Sequence, residues 1–236
     1  MCRVVRPDGV FALPLSDDVP SGFMQIRIIP VTAFEQNSSL LICEETRRAA
    51  LVDPGGEPDR LRAAVADADV VVEKILLTHG HFDHAGAAGR LARELGVPIE
   101  GPQQDDRFLL DTLPQWCAQF GFPAGERVEP TRWLEDGDEV RFGDQVLEVR
   151  HCPGHTPGHV ILFHRGDRVA IVGDVIFKGS IGRTDFPRGD HPTLLASIRS
   201  RIWTLGDDVL LLPGHGPRTT VGEERRHNPF LQGAYG

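Results

Sequence analysis

The chain has 236 residues, 40% hydrophobic and 25% charged, a globular make-up that excludes a disordered chain, a collagen and a coiled coil. Its 25 basic residues against 34 acidic ones leave a net charge of −9, which argues against a nucleic-acid binder or a partner of anionic membranes. No apolar run approaches the roughly 18 residues of a transmembrane helix, and residues 1–23, broken by Pro7, Pro14 and Pro20, carry no apolar core of a secretory signal.

Residues 1–23 therefore read as a flexible leader ahead of a single domain over 24–236. Strands are expected over 25–31, 40–43 and 49–52, the last stopped by Asp53-Pro54-Gly55-Gly56. Leu61 and Val65, spaced i, i+4, predict a helix over 59–68. A short buried strand over 74–77 runs into His79-Gly80-His81-Phe82-Asp83-His84. Helices are expected over 85–95, ended by Gly96-Val97-Pro98, and over 105–120, a stretch long enough to cover a site. From Val140 the period becomes two, and strands are expected around Val146 and Val149 and over 160–163 and 169–172. A helix over 194–205 and a strand over 209–212 complete the chain before Pro213-Gly214-His215-Gly216. Strands in two batches, each mixed with helices, predict an α/β (α+β) sandwich of two mixed sheets with helices outside.

Histidine decides where the chemistry lies, because six of the ten fall in two short windows. In an extended segment His79, His81 and Asp83 point the same way, and a turn at the helix start returns His84 to the same point. Imidazole and carboxylate together suit zinc, iron or manganese. The order is not HExxH, so a helix-borne zinc-protease site is not indicated. In His151-Cys152-Pro153-Gly154-His155-Thr156-Pro157-Gly158-His159, His155 sits at the centre of a rigid loop and is the candidate ligand. His151 and His159 read better as structural, and Cys152 as a buried thiol with a soft ligand as its alternative. Asp174 ends the run 169–173 and His215 ends another; taken alone, each fits a turn or a cap as well as a ligand. Asp53 ends a third run and reads as a residue that orients a ligand histidine. Together these give two potential sites: His79, His81 and His155 in one, Asp83, His84 and His215 in the other, with Asp174 between them. The four cysteines, Cys2, Cys43, Cys117 and Cys152, form no CxxC pair and read as reduced thiols of a cytoplasmic protein.

The segments THGHFDH, PGHT, GD and PGHG, in this order, resemble the metallo-β-lactamase superfamily over nearly the whole chain from residue 24. That resemblance implies an αββα sandwich with metals at one edge. Asp174 stands where zinc β-lactamases commonly carry Cys, which disfavours antibiotic hydrolysis. The set is similar to the glyoxalase II branch, and Ile29-Pro30-Val31-Thr32-Ala33-Phe34, residues 173–191 and Asn228-Pro229-Phe230-Leu231 resemble the bacterial YcbL-type, single-domain type II glyoxalases. The branch implies hydrolysis of a thioester such as S-lactoylglutathione by a hydroxide shared between two divalent ions, zinc foremost, with iron or manganese as alternatives. Asp83 and Asp174 would anchor metal and orient that nucleophile. Arg183 aligns with a glutathione-contacting lysine of two-domain glyoxalase II, and its other reading is a salt bridge with Asp185 or Asp190. Only 21 residues follow His215 in this sequence, so no counterpart of that family's C-terminal helical domain is expected. The implied partner is a small-molecule thioester, with no nucleic acid and no membrane. Gly-Arg-Thr-Asp-Phe over 182–186 also resembles persulfide dioxygenases, which implies as the alternative a single iron on residues matching His79, His155 and Asp174.

Overall fold

The computed structural model describes residues 10–11, 24–122 and 125–232. Strands β1 (Val10–Phe11), β2 (Met24–Val31), β3 (Gln36–Cys43) and β4 (Arg48–Val52) pair antiparallel in sequence order. Helix α1 (Pro58–Ala68) crosses to β5 (Val71–Leu76), parallel to β4. Helices α2 (Phe82–Ala85) and α3 (Ala88–Leu95) lead to β6 (Ile99–Glu100), parallel to β5, followed by α4 (Arg107–Asp111) and α5 (Leu113–Gln119). A second antiparallel run holds β7 (Glu139–Phe142), β8 (Gln145–His151), β9 (Val160–His164) and β10 (Val169–Gly173). The hairpin β11 (Ile176–Phe177) and β12 (Ser180–Ile181) precedes α6 (His191–Ser197). Then come β13 (Leu210–Pro213), parallel to β10, β14 (Thr219–Thr220) and α7 (Val221–His227).

The result is two six-stranded mixed sheets, ordered β1-β2-β3-β4-β5-β6 and β14-β13-β10-β9-β8-β7. Strands β4, β9 and β10 and the second half of β3 (residues 40–43) are almost continuously apolar because both of their faces are buried. Leu41, Ala50 and Val52 of the first sheet meet Leu147, Val149, Leu162 and Ile171 of the second. On the outer face of the first sheet Leu40, Ala49 and Leu51 pack with Leu61, Val65 and Leu91 of the helices. On that of the second, Phe163, Ala170 and Val172 pack with Leu194 and Ile198. This is the αββα sandwich that the sequence implied. No helix among the described residues is long and apolar enough to cross a membrane.

Three helices depart from their expected bounds. The one expected over 85–95 is two, broken at Gly86–Ala87, where Ala87 N–H leaves the helical ladder and donates to Pro54 O at 3.0 Å. The one over 105–120 breaks at Thr112, just before Pro114, whose missing N–H cannot continue α4. The one over 194–205 begins earlier, where Asp190 caps Thr193 N at 2.8 Å, and ends in a wide π-helical turn (Ile198–Ile202) and a tight one (Trp203–Leu205). Within the expected leader, Val10–Phe11 pairs with β2; its other residues lie outside the described ones.

Candidate metal centre

Five strand ends supply the site. Asp53 follows β4 with a φ of 48°, a left-handed conformation that Asp tolerates. Thr78-His79-Gly80-His81 follows β5, and α2 carries Asp83 and His84. His155 lies in the loop after β8, Asp174 directly after β10, and His215 just past β13. The start of β3 stitches the last loop into place: Asn37 N donates to Gly214 O at 2.7 Å, and its side-chain amide to Pro213 O at 3.0 Å and Gly216 O at 2.9 Å.

Four of the five histidines are fixed by one ring nitrogen, which determines what the other can do. His155 Nδ1 meets Arg183 O at 2.7 Å and His215 Nδ1 meets Phe34 O at 3.0 Å. A carbonyl only accepts, so both Nδ1 atoms carry the proton and both Nε2 atoms present lone pairs. Asp53 Oδ2 likewise takes His84 Nδ1–H at 3.0 Å. Thr78 donates its hydroxyl to Asp53 Oδ2 at 2.6 Å, so it accepts from His79 Nδ1 at 3.0 Å. The freed nitrogens converge. His81 Nδ1 lies 3.1 Å from His79 Nε2 and 3.0 Å from His155 Nε2. Beside them His215 Nε2 is 3.2 Å from Asp83 Oδ2, and His84 Nε2 is 3.9 Å from it. Asp174 reaches both groups, with Oδ1 3.4 Å from His84 Nε2 and Oδ2 3.7 Å from both His155 Nε2 and His215 Nε2.

Burial sets the charge states. His79 is held well below the usual histidine range by burial and by the imidazoles around it, and burial pushes His81 down to about 3. Burial also lowers His155. These three rings are neutral, the form that coordinates metal. Burial alone would raise Asp174, but His84, His155 and His215 outweigh it and keep the carboxylate ionised. Against the same burial penalty, Asp174 and Asp83 raise His84.

This arrangement fits divalent cations. Asp174 Oδ1 and His84 Nε2 are buried and have no hydrogen-bond partner among the described residues. His81 Nδ1 can offer at most one proton to the two lone pairs 3.0–3.1 Å from it, whereas a cation between the three nitrogens serves all of them. Two three-residue donor sets match the sequence division, His79–His81–His155 and Asp83–His84–His215. A third, Asp53–His79–His84, satisfies the same geometry, but Asp53 is already engaged by Thr78 and His84.

Residues 32–215 match the profile of the metallo-beta-lactamase superfamily. The chain belongs to that superfamily. Hydroxyacylglutathione hydrolase GloC of Haemophilus influenzae is 47% identical over 209 residues, covering 88% of this chain and 98% of that one. Persulfide dioxygenase ETHE1, mitochondrial, of Homo sapiens is 35% identical over 202 residues, covering 81% and 70%. Among solved structures, BLEG-1 B3 metallo-beta-lactamase superposes with a TM-score of 0.81 at 34% identity, covering 88% of this chain and 100% of that one. TTHA1623 in a di-iron-bound form gives 0.79 at 36% identity, covering 86% and 99%. This superfamily member is thus a metallo-hydrolase of the glyoxalase II-like branch, built to hold divalent metal.

Two residues supporting the superfamily site have roles that the sequence did not disclose. Asp106, fully buried, accepts Gly80 N–H at 2.9 Å and the Thr156 hydroxyl at 2.8 Å on Oδ2, and Gly158 N–H at 2.6 Å on Oδ1. It therefore ties the His79–His81 loop to the His155 loop. Burial pushes its carboxyl up to about 6. His159 stacks on His79 at 4.7 Å and accepts Asp174 N–H on Nε2 at 3.0 Å. His151 turns away to Pro157 O at 2.8 Å. Cys152 is buried in the outer core with Leu194, and burial pushes its thiol up, so it is a core thiol. Arg183 lies at the mouth of the site, exposed, paired with Asp185 at 2.6 and 2.5 Å and stacked 4.3 Å over Phe186.

Gly214 shows how little slack remains. A Cβ there would lie 2.3 Å from Asp174 Oδ1 and 2.5 Å from His84 Cε1. Gly214→Ala is predicted to displace both side chains and to cut bound metal by half or more while the protein stays folded. Metal analysis alongside circular dichroism checks this. A variant with full metal content would show that the loop yields.

Proposed function

We propose that this metallo-hydrolase cleaves a thioester, of which S-lactoylglutathione is the reference case. The observation that carries the reading is one donor set, two clusters bridged by Asp174, opening on a single cleft beside Arg183. GloC, a hydroxyacylglutathione hydrolase, supports the substrate class. His79, His81 and His155 would hold one divalent cation, Asp83, His84 and His215 a second, and Asp174 both. Zinc suits this mixture of imidazole and carboxylate, and so do iron and manganese. Such ions lower the pKa of a bound water from about 15.7 to about 7 and polarise the carbonyl.

The chain's own groups do the rest. Asp83 and Asp174 line the cleft and orient the attacking water through their carboxylate oxygens. Attack of the water oxygen on the carbonyl carbon forms the new C–O bond and breaks the C–S bond, and the proton that the water gives up passes to the departing thiolate. Arg183 would meet a carboxylate of the thiol carrier, in exchange with Asp185. Buried unpaired Cys43, Cys117 and Cys152 support a cytoplasmic, reducing setting.

A second reading is a mononuclear iron dioxygenase acting on persulfides, favoured by the similarity to ETHE1 and by Gly-Arg-Thr-Asp-Phe over 182–186. One experiment separates the two: metal analysis of protein purified with and without air, paired with thioester and oxygen assays. About two metals per chain with rapid S-lactoylglutathione cleavage is the expected result. One iron, little cleavage and oxygen uptake with glutathione persulfide would replace it. Chelation of the same sample is predicted to abolish turnover and to lower the Tm by about 10 °C. That shift corresponds to about 4 kcal/mol of linkage at a thousandfold excess of metal over Kd, at about 2–4 °C per kcal/mol.

A further inference from the structure

The cleft beside the metal ligands holds about 450 Å³, within the roughly 300–1,000 Å³ of sites for drug-sized ligands. A three-carbon lactoyl group would fill a small part of it. One wall is aromatic. Phe82 and Phe120 stack at 4.7 Å, Phe34 stands edge-on to both at 5.7 and 6.1 Å, and Trp116 stacks on Phe120 at 6.1 Å. Three of these four side chains have no polar atom and the fourth has one indole N–H, so a lactoyl hydroxyl gains almost nothing there.

The wall is built onto the ligands themselves. Phe34 O receives His215 Nδ1, and Phe82 stands between His81 and Asp83 in the chain. Its position relative to a reacting carbonyl is therefore fixed. Phe34 and Phe120 nonetheless remain 43% and 45% exposed, two of only three large hydrophobics so open among the described residues. Contiguous exposed apolar surface of this kind marks a binding site. Arg183, paired with Asp185, is the only Lys or Arg lining the cleft among the described residues.

We infer that this wall is an acyl subsite for an apolar group, aromatic or medium-chain aliphatic, with the polar part of the thiol carrier turned toward Arg183. The inference rests on the thioester hydrolase reading and goes beyond it by naming the acyl class. Lactoyl thioesters would still be cleaved, but phenylacetyl or hexanoyl thioesters of the same thiol would be cleaved with a higher kcat/KM.

The test uses thioesters of one small neutral thiol, N-acetylcysteamine, carrying acetyl, lactoyl, butyryl, hexanoyl or phenylacetyl groups. With the metal-loaded protein, kcat/KM is expected to rise about two- to fourfold per added methylene. Phenylacetyl should exceed lactoyl about tenfold or more. Phe34→Ser and Phe120→Ser, both at exposed positions, should each lower the ratio of hexanoyl to acetyl turnover. A second readout needs no turnover: calorimetric binding of S-alkyl thioethers of the same thiol to metal-loaded and metal-stripped protein, expected to tighten with chain length in both. Lactoyl preferred over phenylacetyl, with thioether affinity independent of chain length, overturns the inference. No cleavage of any thioester, with the gain in thioether binding retained, overturns the hydrolase reading and leaves the apolar subsite standing.

Discussion

Asp174→Ala is expected to reduce turnover by about 10³-fold or more and to strip metal from both donor sets. Even outer partners of metal ligands cost about 10–100-fold when removed, and Asp174 stands closer than those. Its two oxygens face His84 Nε2 at 3.4 Å and both His155 Nε2 and His215 Nε2 at 3.7 Å. Asp53 also lies beside a histidine of each cluster, His79 and His84, but its oxygens are taken up by Thr78 and by His84 Nδ1, whereas those of Asp174 face free Nε2 atoms. The charge matters as much as the shape: with five imidazoles around one point, Asp174 and Asp83 are the anions that would offset the charge of bound divalent metal. Asp174→Asn keeps the shape and loses the charge, so it should recover fold and lose metal nearly as fully. Neither variant should unfold the protein, because Asp174 sits past the end of β10 and the three hydrophobic cores lie elsewhere. Metal content by mass spectrometry, initial rates on S-lactoylglutathione and thermal melts of the stripped proteins measure all three. Wild-type metal content and rate in Asp174→Ala would remove the bridging role.

The layered fold was legible because uninterrupted apolar runs require two buried faces, and strands such as β4, β9 and β10 consist of little else. The start of β3 was not, since Gln36, Asn37, Ser38 and Ser39 carry no apolar signal. These polar residues are strand because they serve the site's underside: Ser38 Oγ donates to Val52 O at 3.0 Å and Asn37 holds the Gly214 loop. Local composition misjudged the helices where backbone chemistry interrupts it, at Gly86 and before Pro114. The histidine clusters were legible because ligand types at close spacing are rare by chance, and the structure brings all seven side chains to one edge. His159 and Asp106 escaped for opposite reasons. His159 was visible, but its use as an acceptor for Asp174 N–H depends on the fold of β9 against β10. Asp106 looks like one more acid on a charged stretch, and no spacing rule relates it to residues 80, 156 and 158.

That acid supplies the second large prediction. Asp106→Ala would leave Gly80 N–H, Gly158 N–H and the Thr156 hydroxyl buried without the acceptor each now has. Each orphaned donor costs about 1–3 kcal/mol, partly offset because the carboxylate no longer has to be desolvated. A net loss of about 3 kcal/mol, or a Tm lower by about 6–12 °C, is the expected outcome. The functional loss should exceed what stability explains. Gly80 separates His79 from His81 and Thr156 follows His155, so Asp106 fixes the spacing of the three-histidine set from beneath. Metal affinity at that set should fall about 10–100-fold even at temperatures where the variant is fully folded. Asp106→Asn distinguishes the two effects. Its amide oxygen can replace Oδ2 and keep Gly80 and Thr156, while its NH₂ must face Gly158 N–H, so the Tm should recover most of the way and metal affinity only in part. If Asp106→Ala binds metal like wild type once folded, the two loops hold their own positions and Asp106 acts on stability alone.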